Sequence, residues 1–82
     1  MAQKNNNRTF AEIATEIKQV WKKVYFCAQP YLDAMLTIKS ADPNATYIME
    51  SADTIVRYFL ANATTWRGED ARRIKAELKS MI

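Results

Sequence analysis

The chain has 82 residues, 49% of them hydrophobic and 26% charged, with a net charge of +3 and one cysteine. That length holds one domain with a modest core, and the composition lies far from disordered or membrane-embedded chains. With Cys27 alone no intramolecular disulfide can form, and with no histidine the commonest general base and the usual nitrogen ligand for metals are missing.

One Gly and two Pro leave little turn chemistry. A sheet protein of this size needs many Gly- or Pro-marked turns, so the shortage predicts few, long elements and an all-α fold. Residues 1 to 8 are polar and Asn-rich, and they read as a flexible tail ahead of a single domain over 9 to 82. This start has no apolar run to serve as a signal-peptide core, and no stretch reaches the length of a membrane span. A reducing, cytoplasmic setting is expected, in which the sequons at Asn44 and Asn62 have no role.

The first helix begins at Thr9, where T-F-A-E forms a capping box. Phe10, Ile13, Ile17, Val20, Val24 and Cys27 then recur at steps of three and four, predicting a helix over about 9–28 with Cys27 as a buried structural thiol. Phe26 falls outside this stripe, among polar residues. Pro30 lacks an amide hydrogen and crowds the preceding turn, so a break or kink near it is expected, followed by a short helix over 30–40. Asp42 and Pro43 read as the N-cap and first residue of a central helix over 43–64. Its apolar face is Ala45, Ile48, Met49, Ala52, Ile55, Val56, Phe59, Leu60, Ala63 and Trp66. Gly68 frees the next turn, and a last helix over 67–81 presents Ala71, Ile74, Leu78 and Met81. Glu69–Arg73 and Arg73–Glu77 are at ion-pair spacing along it. Short connections predict a small antiparallel helical bundle in which the central helix touches every other.

No enzyme signature emerges: there is no phosphate loop, nucleophile elbow or zinc-spaced cysteine pair, and no cofactor or metal is implied. Glu50 and Asp53 read as a solvated acidic patch. Trp21 and Trp66 read as core. Two features point to partners. On the expected central helix, Tyr47, Ser51, Thr54, Tyr58, Asn62 and Thr65 form an uncharged line away from the apolar stripe. Together with the stray Phe26, that line suits a surface for another protein or a second copy of the chain. Such a chain would be a non-enzymatic interaction or adaptor protein, and its size and style suit an accessory factor of a phage or mobile element.

The second feature is basic. Residues 1–29 carry five Lys/Arg against two Asp/Glu, residues 30–66 two against four, and residues 67–82 five against three. Lys18, Lys22 and Lys23 would line the first helix, and Arg72, Lys75 and Lys79 one flank of the last. If these helices packed side by side, the two groups, with Arg67, would merge into a strip for nucleic acid, the alternative function.

Overall fold

Thr9 and Glu12 start helix α1, Phe10–Val20, by the reciprocal bonds that their spacing predicts. The Thr9 hydroxyl accepts from the Glu12 amide at 3.1 Å, and the Glu12 carboxylate accepts from the Thr9 amide at 2.8 Å. The next free amides are capped from a distance: Phe10 N–H donates to the Ser40 carbonyl and Ala11 N–H to that of Ile38, each at 2.9 Å. These bonds place the start of α1 against the chain that leaves α2, Gln29–Leu36, so α1 and α2 form a helical hairpin. The computed structural model, which describes residues 8–47 and 50–82, is mostly helical, with α3 spanning Ala52–Ala61 and α4 Glu69–Met81.

The interruption of the first long helix comes earlier than the proline requires. Helix α1 stops at Val20, eight residues short of its expected end, and Pro30 sits in the first turn of α2, where its missing amide costs nothing. The stop follows from packing. Trp21 stacks on Trp66 with ring centroids 5.1 Å apart and an interplanar angle of 8°, and meets Phe59 edge-on at 6.1 Å. A helical continuation would sacrifice that pair, and the backbone turns instead, with φ −102° and ψ 87° at Trp21. Helix α2 ends at Leu36 rather than 40, its last turn closed by the Thr37 hydroxyl donating to the Ala34 carbonyl at 2.7 Å.

The central helix is shorter still. Asp42 acts as a turn residue instead of an N-cap: its carboxylate accepts from the Asn44 amide at 2.9 Å and its carbonyl from the Ala45 amide at 3.0 Å. Asp-Pro-Asn satisfies a turn as well as a helix start, so the same residues support either outcome. The chain then forms a two-residue ladder, β1 Thr46–Tyr47 against β2 Glu50–Ser51, antiparallel with Thr46 opposite Ser51 and Tyr47 opposite Glu50. Ile48, Met49 and the side chain of Tyr47, assigned from the sequence to the central helix, lie outside the described residues, as does the polar stretch 1–7. Helix α3 begins only at Ala52, and the 43–45 turn caps it. Ala52 N–H donates to the Ala45 carbonyl at 2.7 Å and Asp53 N–H to that of Pro43 at 3.0 Å.

The expected apolar stripe survives where α3 exists. Ala52, Ile55, Val56 and Phe59 are buried, and Ala63 and Trp66 continue the core from the following turn. They pack with Phe10, Ile13, Ala14, Ile17 and Trp21 of the first segment, Leu32 and Met35 of α2, and Ala71, Ile74 and Leu78 of α4. Arg8, counted with the tail by sequence, is part of the domain. Its guanidinium forks onto Glu77 of α4 at 2.6 and 3.1 Å and reaches Glu16 of α1 at 2.7 Å, while Arg73 of α4 meets the same Glu16 at 2.7 Å. The residue just before α1 thus pairs with late α4, and Glu16 within α1 with Arg73 nearer the start of α4. Arg73 pairs along its own helix with Asp70, at 3.1 Å, in place of the expected Glu69 and Glu77.

Candidate interaction surfaces

The uncharged line expected along one long helix is divided by the hairpin. Tyr47 belongs to β1. Ser51, half-buried at the head of α3, donates to the Asp53 carboxylate and lies 3.1 Å from the Thr54 hydroxyl. The Ser51 hydroxyl holds the Asp53 carboxyl below its ordinary range, and Arg57 adds a weaker attraction at 3.9 Å. Ser51 and Thr54 thus spend their hydroxyls locally. Asn62 does the same, its amide donating to the Tyr58 carbonyl at 2.9 Å as α3 ends. Of the line's described side chains, Tyr58 alone presents a large apolar face, 50% exposed.

Tyr58 has a partner on α2. Tyr31 of α2 is half-buried and stacks on it with centroids 5.5 Å apart and rings inclined by 28°. The two rings border an open hollow of about 570 Å³, completed by Pro30, Ala34, Glu50 and Ile55. Apart from the Glu50 carboxylate the lining is apolar or aromatic, the chemistry of a contact surface that takes an apolar side chain. Tyr31 lies four residues after Cys27, in phase with the apolar stripe of the expected first helix, so its spacing carries no sign of a surface role.

Phe26 is 76% exposed and Tyr25 42% exposed, with their rings edge to face at 5.1 Å. Both lie in the 21–28 connection between α1 and α2, not on a helix. Cys27 shares this connection and is half-buried, so it is not the fully buried thiol that a continuous helix implied.

The basic residues group differently from the expected strip. Between α1 and α4 lie the alternating charges of Arg8, Glu16, Arg73 and Glu77. Lys18 faces α2, 3.7 Å from Asp33. Lys22 and Lys23 lie past the end of α1, immediately after Trp21, and the Trp21–Trp66 stack joins the segment that carries them to the segment that carries Arg67. Lys75 lies over the Trp66 ring, 5.9 Å from its centroid, and donates to the Trp66 carbonyl at 2.7 Å. Burial, then the charges of Lys79 and Arg67, lower the pKa of Lys75, so these cations crowd one another. Among the described residues, Lys22, Lys23, Arg67, Arg72, Lys75 and Lys79 make no ion pair within 4 Å, and ion pairs occupy Arg8, Lys18, Arg57 and Arg73.

Among the described residues no helix is long and apolar enough to cross a membrane. The chain matches no protein-family model, no curated protein and no solved structure.

Proposed function

We propose that this chain is a non-enzymatic interaction protein that captures a protein partner, or a second copy of itself, on the surface shared by α2 and α3. The observation that carries the reading is Tyr58, half-exposed and stacked on Tyr31 beside a hollow lined by Pro30, Ala34 and Ile55. An aromatic pair held in place by its own stacking loses little side-chain freedom when a partner arrives, which is why such residues anchor interfaces. Glu50 at the rim favours a partner segment that brings an apolar side chain next to a cation.

Tyr58→Ala tests this without touching the core. The expected result is loss of self-association by sedimentation, or of a captured partner that the native chain retains, with an unchanged far-UV circular dichroism spectrum. A variant that folds and associates as the native chain does would remove the basis of the proposal.

A further inference from the structure

We propose that the end of the molecule built on the Trp21–Trp66 stack binds single-stranded nucleic acid, its lysines and arginines holding phosphates while Phe26 stacks against a base. This goes beyond protein capture and uses none of the Tyr58 surface. Three observations converge on it. The first is the supply of cations. Lys22 and Lys23 follow one stacked tryptophan, Arg67 follows the other, and Arg72, Lys75 and Lys79 lie along one flank of α4 at helical steps of three and four. Carboxylates are close at hand in Glu69 and Asp70 of the first turn of α4, yet Asp70 goes to Arg73 and none of the six cations forms an ion pair among the described residues.

The second is how the cluster is held. Lys75 is tied to the Trp66 carbonyl at 2.7 Å, so its charge stays beside Arg67 and Lys79 instead of swinging into solvent. Next to it, Trp66, Arg67, Gly68, Ala71, Arg72 and Lys75 border an open hollow of about 300 Å³. Like charges gathered round a concavity that no carboxylate lines leave a positive field there, and a phosphate backbone relieves it.

The third observation selects the form of nucleic acid. Trp21 and Trp66 are buried, so they act as the scaffold and offer bases no face. Phe26 offers one: it is 76% exposed, supported edge to face by Tyr25, and three residues along the chain from Lys23. An exposed ring in a chain segment that also carries cations suits an unpaired base, whereas duplex bases are already stacked on one another.

The test is fluorescence anisotropy of the full chain with a labelled oligo(dT) of about 15 nucleotides, within the span of a small single-strand binder. A duplex of the same length runs in parallel. The single strand should bind more tightly than the duplex. If about four of the six cations each meet a phosphate, affinity should fall roughly fiftyfold between about 50 and 200 mM salt. Phe26→Ala should weaken single-strand binding roughly tenfold, the loss of one stacked base, and leave duplex binding unaltered. Lys23→Glu and Arg72→Glu should each weaken both, while Lys39→Glu, an exposed cation beyond α2, should change neither. Absence of low-salt binding would overturn the proposal, as would equal affinity for both forms with Phe26→Ala silent, or a Lys39→Glu loss matching the other reversals.

Discussion

Replacing Trp66 with Ala removes one half of the contact that ends α1. Trp66 is 5% exposed, stacked on Trp21 at 5.1 Å and covered on one side by Lys75. Large aromatic-to-alanine changes in a core cost about 3–5 kcal/mol in lost transfer energy and residual cavity. A chain of this length has a total stability of roughly 4–12 kcal/mol, so the variant should lose about a quarter or more of it. The stacking itself is separable. Trp66→Leu and Trp21→Leu, alone and together, form a double-mutant cycle whose coupling should be about 0.5–1.5 kcal/mol, the worth of an aromatic pair beyond its area. Urea unfolding should be followed by circular dichroism at 222 nm, because the variants remove the fluorescent reporters. A Trp66→Ala loss below about 1 kcal/mol would refute the reasoning that a buried stack redirects the chain at Trp21. A coupling of zero would refute the stack's share in it.

Two further outcomes follow from local geometry. Gly68 has φ +112° and ψ −176°, a conformation almost closed to other residues, and a β-carbon there would meet no atom within 4 Å. Gly68→Ala should therefore cost about 1–3 kcal/mol in chemical denaturation from backbone strain alone, and a neutral result would mean that the α3–α4 turn adopts another conformation. Glu16 is held below its ordinary value of 4.5, first by Arg73 and then by Arg8. Because its folded pKa is depressed, its stabilisation is complete above the unfolded value and fades as acid protonates it through the folded one. Denaturation midpoints taken from about pH 6 down to pH 3 should fall less steeply in Glu16→Gln than in the native chain, with a difference above the window of about 1 kcal/mol for partly exposed pairs. Parallel profiles would show that Glu16 adds nothing to acid sensitivity.

The sequence was most informative where one short-range rule acted without competition. The Thr9–Glu12 box needs only its own four residues, and α4 begins within two residues of its expected start because Gly68, the acidic first turn and the apolar spacing all agree. The interaction surface was legible in part. Tyr58 and Phe26 do stand exposed, but the line joining Tyr47 to Asn62 presupposed one helix, and the hydroxyls of Ser51 and Thr54 had nearer partners. Tyr31 and Tyr25 carry no such signal: Tyr31 keeps the three-and-four phase of the stripe from Phe10 to Cys27, and Tyr25 follows Val24 of that stripe.

By itself the sequence determined the all-α class and the faces that α1, α3 and α4 turn to the core, because helical periodicity and capping are properties of neighbouring residues. The tertiary structure alone decided where the helices end. Nothing between Val20 and Ala28 forbids a helix; Trp21 leaves it because Trp66, far along the chain, offers a better contact. Nothing in Asp42-Pro43-Asn44 forbids a helix start either, but the carbonyls of Pro43 and Ala45 cap α3 only if that segment turns first. Burial of distant partners outweighed local preference at both places, and the exposed aromatic and basic surfaces follow from those two departures.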